Sequence, residues 1–169
     1  MMIILSVYYT PTLNNALFQI ETMKVKVGDV APDFKLLSNA RGEVSLSEFR
    51  GNKSVVLYFY PKDETMGCTK EACAFRDSYE VFREKGAEVL GVSSDTVDSH
   101  KKFAEHRDLS FPLLSDSDGK VRKAYGVSST LGFLPGRVSY VIDKQGIVKS
   151  IFDSQTHPER HITEALKAL

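Results

Sequence analysis

Cysteine is scarce in this chain, and charge of either sign has no surplus. Two cysteines stand among 169 residues, Cys68 and Cys73. A small secreted scaffold would carry more and would space them along the chain. A bond between residues five apart closes almost no loop, so it constrains the unfolded chain little. The pair therefore reads as reactive rather than structural, and a reducing compartment follows: the expected location is cytoplasmic. Lys plus Arg and Asp plus Glu number 22 each. A net charge of zero gives no field to steer nucleic acid or an anionic membrane, and no run of like charges restores one. Neither is expected as a partner.

Residues 1–22 lack Lys and Arg altogether and hold one acid, Glu21. They thus lack the basic n-region of a signal peptide and the arginines of a transit peptide. Their apolar run is too short for a bilayer, which takes about 20 apolar residues. The expectation is an extension outside the domain, disordered or non-native, with Met23 as an alternative start. Residues 23–169 are expected to form one domain, long enough to bury a core without staples. Fractions of 42% apolar and 26% charged residues suit a soluble globular protein.

From Met23 onward, strand and helix signals alternate. Asn39 to Gly42 reads as a turn between two short strands. Ser45-Leu46-Ser47-Glu48 has the spacing of a capping box. Residues 54–60, SVVLYFY, form the strongest strand signal, continuously apolar or aromatic after Ser54 as a strand covered on both faces would be. Pro61 stops it. Thr65 or Thr69 is expected to cap a helix that keeps Cys73, Phe75, Tyr79 and Phe82 at helical spacing down to Gly86. Residues 88–94 are a second buried strand, and Asp95 is the expected N-cap of a helix to about His106. A short strand at 111–114 and a short helix around 121–125 follow. Strands at 137–142 and 147–152 form a hairpin. Thr156-His157-Pro158-Glu159 has capping-box spacing before a last helix with Ile162, Ala165, Leu166 and Leu169 on one stripe. The order predicts an α/β fold with a mixed central sheet flanked by helices and an N-terminal β-hairpin.

The chemistry is concentrated in PKDETMGCTKEAC, residues 61–73, which follows a buried strand and opens a helix. A cysteine in the first helical turn sits beside unpaired N–H groups and the positive end of the helix dipole. Such placement favours thiolate, the nucleophilic form, and helix N-termini or neighbouring cations lower thiol pKa values to about 3.5–7.5. Cys68 has that position. Cys73 lies more than a turn inside, where a thiol behaves as a small buried hydrophobe. Taken singly, Thr65 reads as an N-cap, Pro61 as a strand stop and Gly67 as relief of crowding. Together they fit P-x-x-x-T-x-x-C at a strand-to-helix junction, a conjunction much rarer by chance.

This segment resembles the active site of the peroxiredoxins of the Q type, also called the bacterioferritin comigratory protein family. Residues 24–169 match that family throughout, including the VGDVAPDF opening, the VVLYFYPKD strand and GRVSYVIDKQG. The resemblance implies a thioredoxin-like fold and a thiol-specific peroxidase for hydrogen peroxide and organic hydroperoxides, acting in antioxidant defence. It implies Cys68 as the peroxidatic cysteine and Cys73 as the resolving one, joined in an intramolecular disulfide. Thr65 is implied to hydrogen-bond thiolate and peroxide, Pro61 to shield the pocket, and Arg137 to supply a cation. Without the motif, an arginine at a strand start would read as solvated. The implied reductant is thioredoxin or a similar dithiol, and the expected state is a monomer, with a weak dimer as the alternative. Met66 departs from the family, which usually has Pro there, and bears on loop rigidity.

Helix geometry adds a constraint on that disulfide. Two residues five apart on one α-helix are separated by about 7.5 Å along the axis and about 140° around it, or about 8.7 Å between Cα atoms. A disulfide usually needs about 4.4–6.8 Å. The first turns must therefore unwind before Cys73 reaches a sulfenic acid on Cys68.

Other candidates are weaker. His157 and His161 have chelating spacing but nothing to complete a site, so they read as a solvated face and no metal is expected. Residues 126–136 are glycine-rich without a P-loop or dinucleotide fingerprint, so no cofactor is expected. They read as a loop whose Leu131, Phe133 and Leu134 contact substrate or partner. Two further readings stay open from the residues themselves. A disulfide oxidoreductase would normally carry C-x-x-C, and the four residues between Cys68 and Cys73 argue against it; a redox sensor would dock a partner when oxidised.

Overall fold

The computed structural model describes residues 24–130 and 134–169. The expected extension at 1–22, together with Met23, Leu131 and Phe133, lies outside them. Strands β1 (Lys35–Ser38) and β2 (Glu43–Ser45) form the N-terminal hairpin. A 3₁₀ turn, Leu46–Phe49, follows, and the Glu48 carboxylate accepts from the Ser45 N–H at 3.2 Å as the capping box requires. Next come β3 (Ser54–Phe59), α1 (Met66–Asp77), α2 (Tyr79–Glu84), β4 (Ala87–Ser93) and α3 (Val97–Arg107). The chain continues through β5 (Leu113–Ser115), α4 (Lys120–Ala124), the small pair β6 (Ser129–Thr130) and β7 (Leu134–Pro135), β8 (Val138–Ile142), β9 (Val148–Asp153) and α5 (Arg160–Lys167).

Seven strands make one mixed sheet in the order β2-β1-β5-β4-β3-β8-β9. β3, β4 and β5 run parallel, while β8 pairs with β3 antiparallel. Successive side chains of a strand point to opposite faces, and β3 buries both. Val55, Leu57 and Phe59 enter one apolar cluster with Phe34, Leu46 and Tyr125. Val56, Tyr58 and Tyr60 enter the other, with Cys68, Phe75, Phe82, Phe103 and Ile162. This accounts for the unbroken apolar run at 54–60. The second cluster carries α1, and so sets where Cys68 lies.

Three local expectations are corrected. The single helix expected down to Gly86 breaks at Ser78, whose φ of −103° and ψ of 2° leave the helical range. The break aims Tyr79 at Glu88, to which its hydroxyl donates at 2.5 Å, while Phe82 stays in the core. Asp95 does not cap α3. Thr96 does, its hydroxyl accepting from the Ser99 N–H at 3.2 Å. Asp95 is engaged elsewhere, accepting from the Ser93 hydroxyl at 2.7 Å and the Asp63 N–H at 2.9 Å. The second capping box does not form either. Thr156 meets the His157 ring at 3.0 Å, a turn bonds Arg160 N–H to the His157 carbonyl, and α5 begins only at Arg160.

Candidate active site

The segment between β3 and α1 is fastened to α3. The Asp63 carboxylate accepts from the Tyr60 hydroxyl and the Ser99 hydroxyl, each at 2.7 Å, and meets His100 Nδ1 at 2.8 Å. Burial pushes the Asp63 carboxyl up, but the hydrogen bonds, His100 foremost, outweigh it and leave the group below its usual range. Glu64 takes a left-handed φ of 59° and receives Arg107 at 2.7 Å and His106 at 2.9 Å. Pro61, half-buried, opens this segment and has no N–H to leave unpaired.

Thr65 occupies the N-cap of α1 with extended backbone. Its hydroxyl donates to the Lys62 carbonyl at 3.0 Å rather than capping the helix or meeting Cys68. Cys68 is the third residue of the helix and is 1% exposed. Arg137 lies just ahead of β8 and is also buried, so the solvated alternative fails. Its Nη2 donates to Cys68 Sγ at 3.3 Å, and its Nη1 donates to Glu71. Burial pulls the guanidinium down, but its contacts with Glu71 and Cys68 outweigh it, so the group stays a firmly held cation. Gly67 makes this approach feasible: a methyl on its Cα would stand 3.1 Å from Arg137 Nη2.

Sequence reasoning missed Glu71 and misplaced His161. Glu71, three residues after Cys68, is fully buried. Burial pushes its carboxyl up to about 8, with Arg137 pulling the other way. Its second oxygen faces His161 Nδ1 at 3.5 Å. His161 is fully buried rather than solvated. It accepts from the Ser139 hydroxyl at 2.8 Å, donates from Nε2 to the Ser154 carbonyl at 3.0 Å, and sits 4.7 Å from the Phe152 ring. Burial pushes its ring down to about 4, so it is neutral at pH 7. The signal for both was weak: GCTKEAC offers a carboxyl one turn from the thiol, and nothing local marks His161. His157, by contrast, is exposed. Cys73 is half-buried on α1, and both thiols are free. Leu134 is exposed, in the hairpin ahead of Arg137.

A buried sulfur in a first helical turn, beside a permanent cation with donors to spare, suits nucleophilic attack on a bond that breaks to an oxyanion. Comparison with known proteins agrees. Residues 27–151 match the model of the AhpC/TSA family. Peroxiredoxin Q, chloroplastic, of Sedum lineare is 53% identical over 160 residues, covering 94% of this chain and 83% of that one. The protein of the same name from Triticum aestivum is 56% identical over 147 residues, covering 86% and 67%. Among solved structures, peroxidoxin BcpB from Mycobacterium tuberculosis superposes with a TM-score of 0.78 at 40% identity, covering 85% of this chain and 95% of that one. These relatives have the thioredoxin-like architecture expected from the sequence. The cytoplasmic expectation is corrected: the plant relatives are named as chloroplastic. It had rested on two reactive thiols, which indicate a reducing environment without telling one such compartment from another. With the fold, the thiol site and these relatives in agreement, the chain belongs to the AhpC/TSA family, as a thiol peroxidase of the peroxiredoxin Q type.

Proposed function

We propose that Cys68 is the peroxidatic cysteine and Cys73 the resolving one, in a cycle completed within one chain. The observation that carries this is the 3.3 Å hydrogen bond from Arg137 Nη2 to Cys68 Sγ at the start of α1. Sulfur, as thiolate, attacks the terminal oxygen of a hydroperoxide. The S–O bond forms as the O–O bond breaks, and the alkoxide or hydroxide leaves with the electron pair and takes up a proton. Cys68 is left as sulfenic acid. Arg137 orients the peroxide and offers donors to the oxygens as charge develops. Pro61 shields the pocket. The Thr65 hydroxyl turns from Lys62 toward the peroxide.

Cys73 then attacks the Cys68 sulfur, water leaves, and the disulfide closes. Both residues lie on α1, so the helix must open first. Thioredoxin or a similar dithiol reduces the product by exchange. The substrates are hydrogen peroxide and organic hydroperoxides. A solved relative from Xanthomonas campestris, a bacterioferritin comigratory protein at 28% identity, is titled for its alkyl peroxide reduction activity. The chloroplastic names of the plant relatives make the plastid the compartment of choice.

Peroxide consumption coupled to a thioredoxin system tests the assignment. Cys68→Ser should abolish turnover while the circular dichroism spectrum stays native. Substantial activity in that variant would remove Cys68 from its role. A mass-spectrometric map with only intermolecular disulfides would remove Cys73 from its own.

A further inference from the structure

β3 and β8 are paired from Val55 opposite Ile142 to Phe59 opposite Val138, and the ladder ends there, at the thiol site. Buried backbone groups beyond the end of a ladder need other partners. Two carbonyls at this parting share one. Arg122 Nη2 donates to the Tyr60 carbonyl at 2.9 Å, and Arg122 Nη1 donates to the Gly136 carbonyl at 3.1 Å. Tyr60 directly precedes Pro61, and Gly136 directly precedes Arg137. A single planar cation thus bridges the backbone just ahead of both segments that flank Cys68.

The bridge is itself fixed. Arg122 is 9% exposed, and its guanidinium lies 5.7 Å from the centre of the Phe59 ring. The Asp116 carboxylate accepts from the N–H groups of Val121 at 3.1 Å and Arg122 at 2.8 Å, anchoring the start of α4. Gly136 is confined too, since a Cβ there would lie 2.3 Å from the Ser128 carbonyl oxygen. A lysine could reach one carbonyl but lacks the rigid fork that spans two.

We infer that Arg122 is a positioning residue for peroxide reduction: it fixes the gap between the Pro61 segment and Arg137, and so keeps Arg137 Nη2 on Cys68 Sγ. This rests on the reading of Cys68 as the attacking sulfur.

The test is a mutant cycle on the rate of Cys68 oxidation by hydrogen peroxide, followed by rapid quench and mass spectrometry. The proteins are wild type, Arg122→Met, Arg137→Ala and the double variant. Arg122→Met should lower the second-order rate at least tenfold. In the Arg137→Ala background the same change should lower it less than threefold, because the brace acts largely through Arg137. Equal losses in the two backgrounds would indicate general weakening of the fold and overturn the inference, as would a wild-type rate in Arg122→Met. Should Arg122→Met fail to fold, Arg122→Lys carries the same cycle, with an expected loss of severalfold in the wild-type background only. Activity surviving in Cys68→Ser would instead overturn the assignment of the sulfur, whatever Arg122 does.

Discussion

The two flanks of Cys68 are held by different forces. Ahead of it, residues 61–65 are tied to α3 by side-chain hydrogen bonds, Asp63 at Ser99 and His100, Glu64 at His106 and Arg107. Behind it, α1 is held by packing. Phe75 stacks on Tyr58 with ring centres 4.5 Å apart, Ala72 is buried, and Glu71 pairs with Arg137. Polar ties break one at a time. A packed helical face is shared among many contacts and opens by the turn. The contrast says where the chain must give way if Cys73 is to reach Cys68: in the helix, with the preceding loop left in place.

The largest expected effect is on the packed flank. Phe75→Ala should cost about 3–5 kcal/mol in denaturant unfolding, the usual range for a fully buried phenylalanine. A loss under about 1 kcal/mol would mean that packing does not hold this flank. Next comes pH. Burial pushes the His161 ring down to about 4, so the folded chain binds this proton less readily than the unfolded one. The stability it supports is full above pH 6.5 and is lost as pH falls toward 4, by about 3 kcal/mol in all. Glu71, pushed up to about 8, acts in the opposite sense: stability declines as pH rises from 4.5 to 8. Between pH 4.5 and 6.5 the two slopes offset each other, so unfolding measured across pH should show a plateau there and a decline from 6.5 to 8. His161→Gln should extend that decline down to pH 4.5, and Glu71→Gln should leave a rise from 4 to 6.5 with a plateau above it; profiles unchanged in these variants would assign the slopes to other groups.

Amide exchange sharpens the contrast directly. In the disulfide form, amides across about 65–79 should exchange about a hundredfold faster than in the reduced form, while those of Tyr60 and Asp63 keep their protection. A Cys68–Cys73 disulfide with α1 as protected as before would end the unwinding proposal. The smallest effect belongs to the exposed tie. Glu64→Ala should change stability by less than about 1 kcal/mol, since solvent screens its pairs with Arg107 and His106. A larger loss would show that the loop depends on α3 more than its exposure suggests.

How much of this was legible depended on how far a residue's partners lie along the chain. The run at 54–60 announced its strand because both faces of β3 are apolar, a property written in consecutive letters. The place of Cys68 in a first helical turn was legible because a strand stop, a cap and a glycine precede it within eight residues. His161 was not, because Ser139 stands 22 positions away and Glu71 is farther still. Arg122 carried no signal at all, since its partners are carbonyls of Tyr60 and Gly136 and a carbonyl has no letter. Asp95 misled for a related reason: a good capping residue had a better use near the site, and Thr96 next to it served as well for the helix.

Gly67 has a consequence for how this sequence can drift. Its backbone angle asks for no glycine, and alanine within a helix is favoured over glycine by up to about 1 kcal/mol. Selection for a sturdier protein would therefore push position 67 toward alanine. That methyl would meet Arg137 Nη2 at 3.1 Å, so the guanidinium would have to retreat by a few tenths of an ångström from the sulfur it attends. Position 67 is thus one where robustness and the Arg137–Cys68 contact pull in opposite directions.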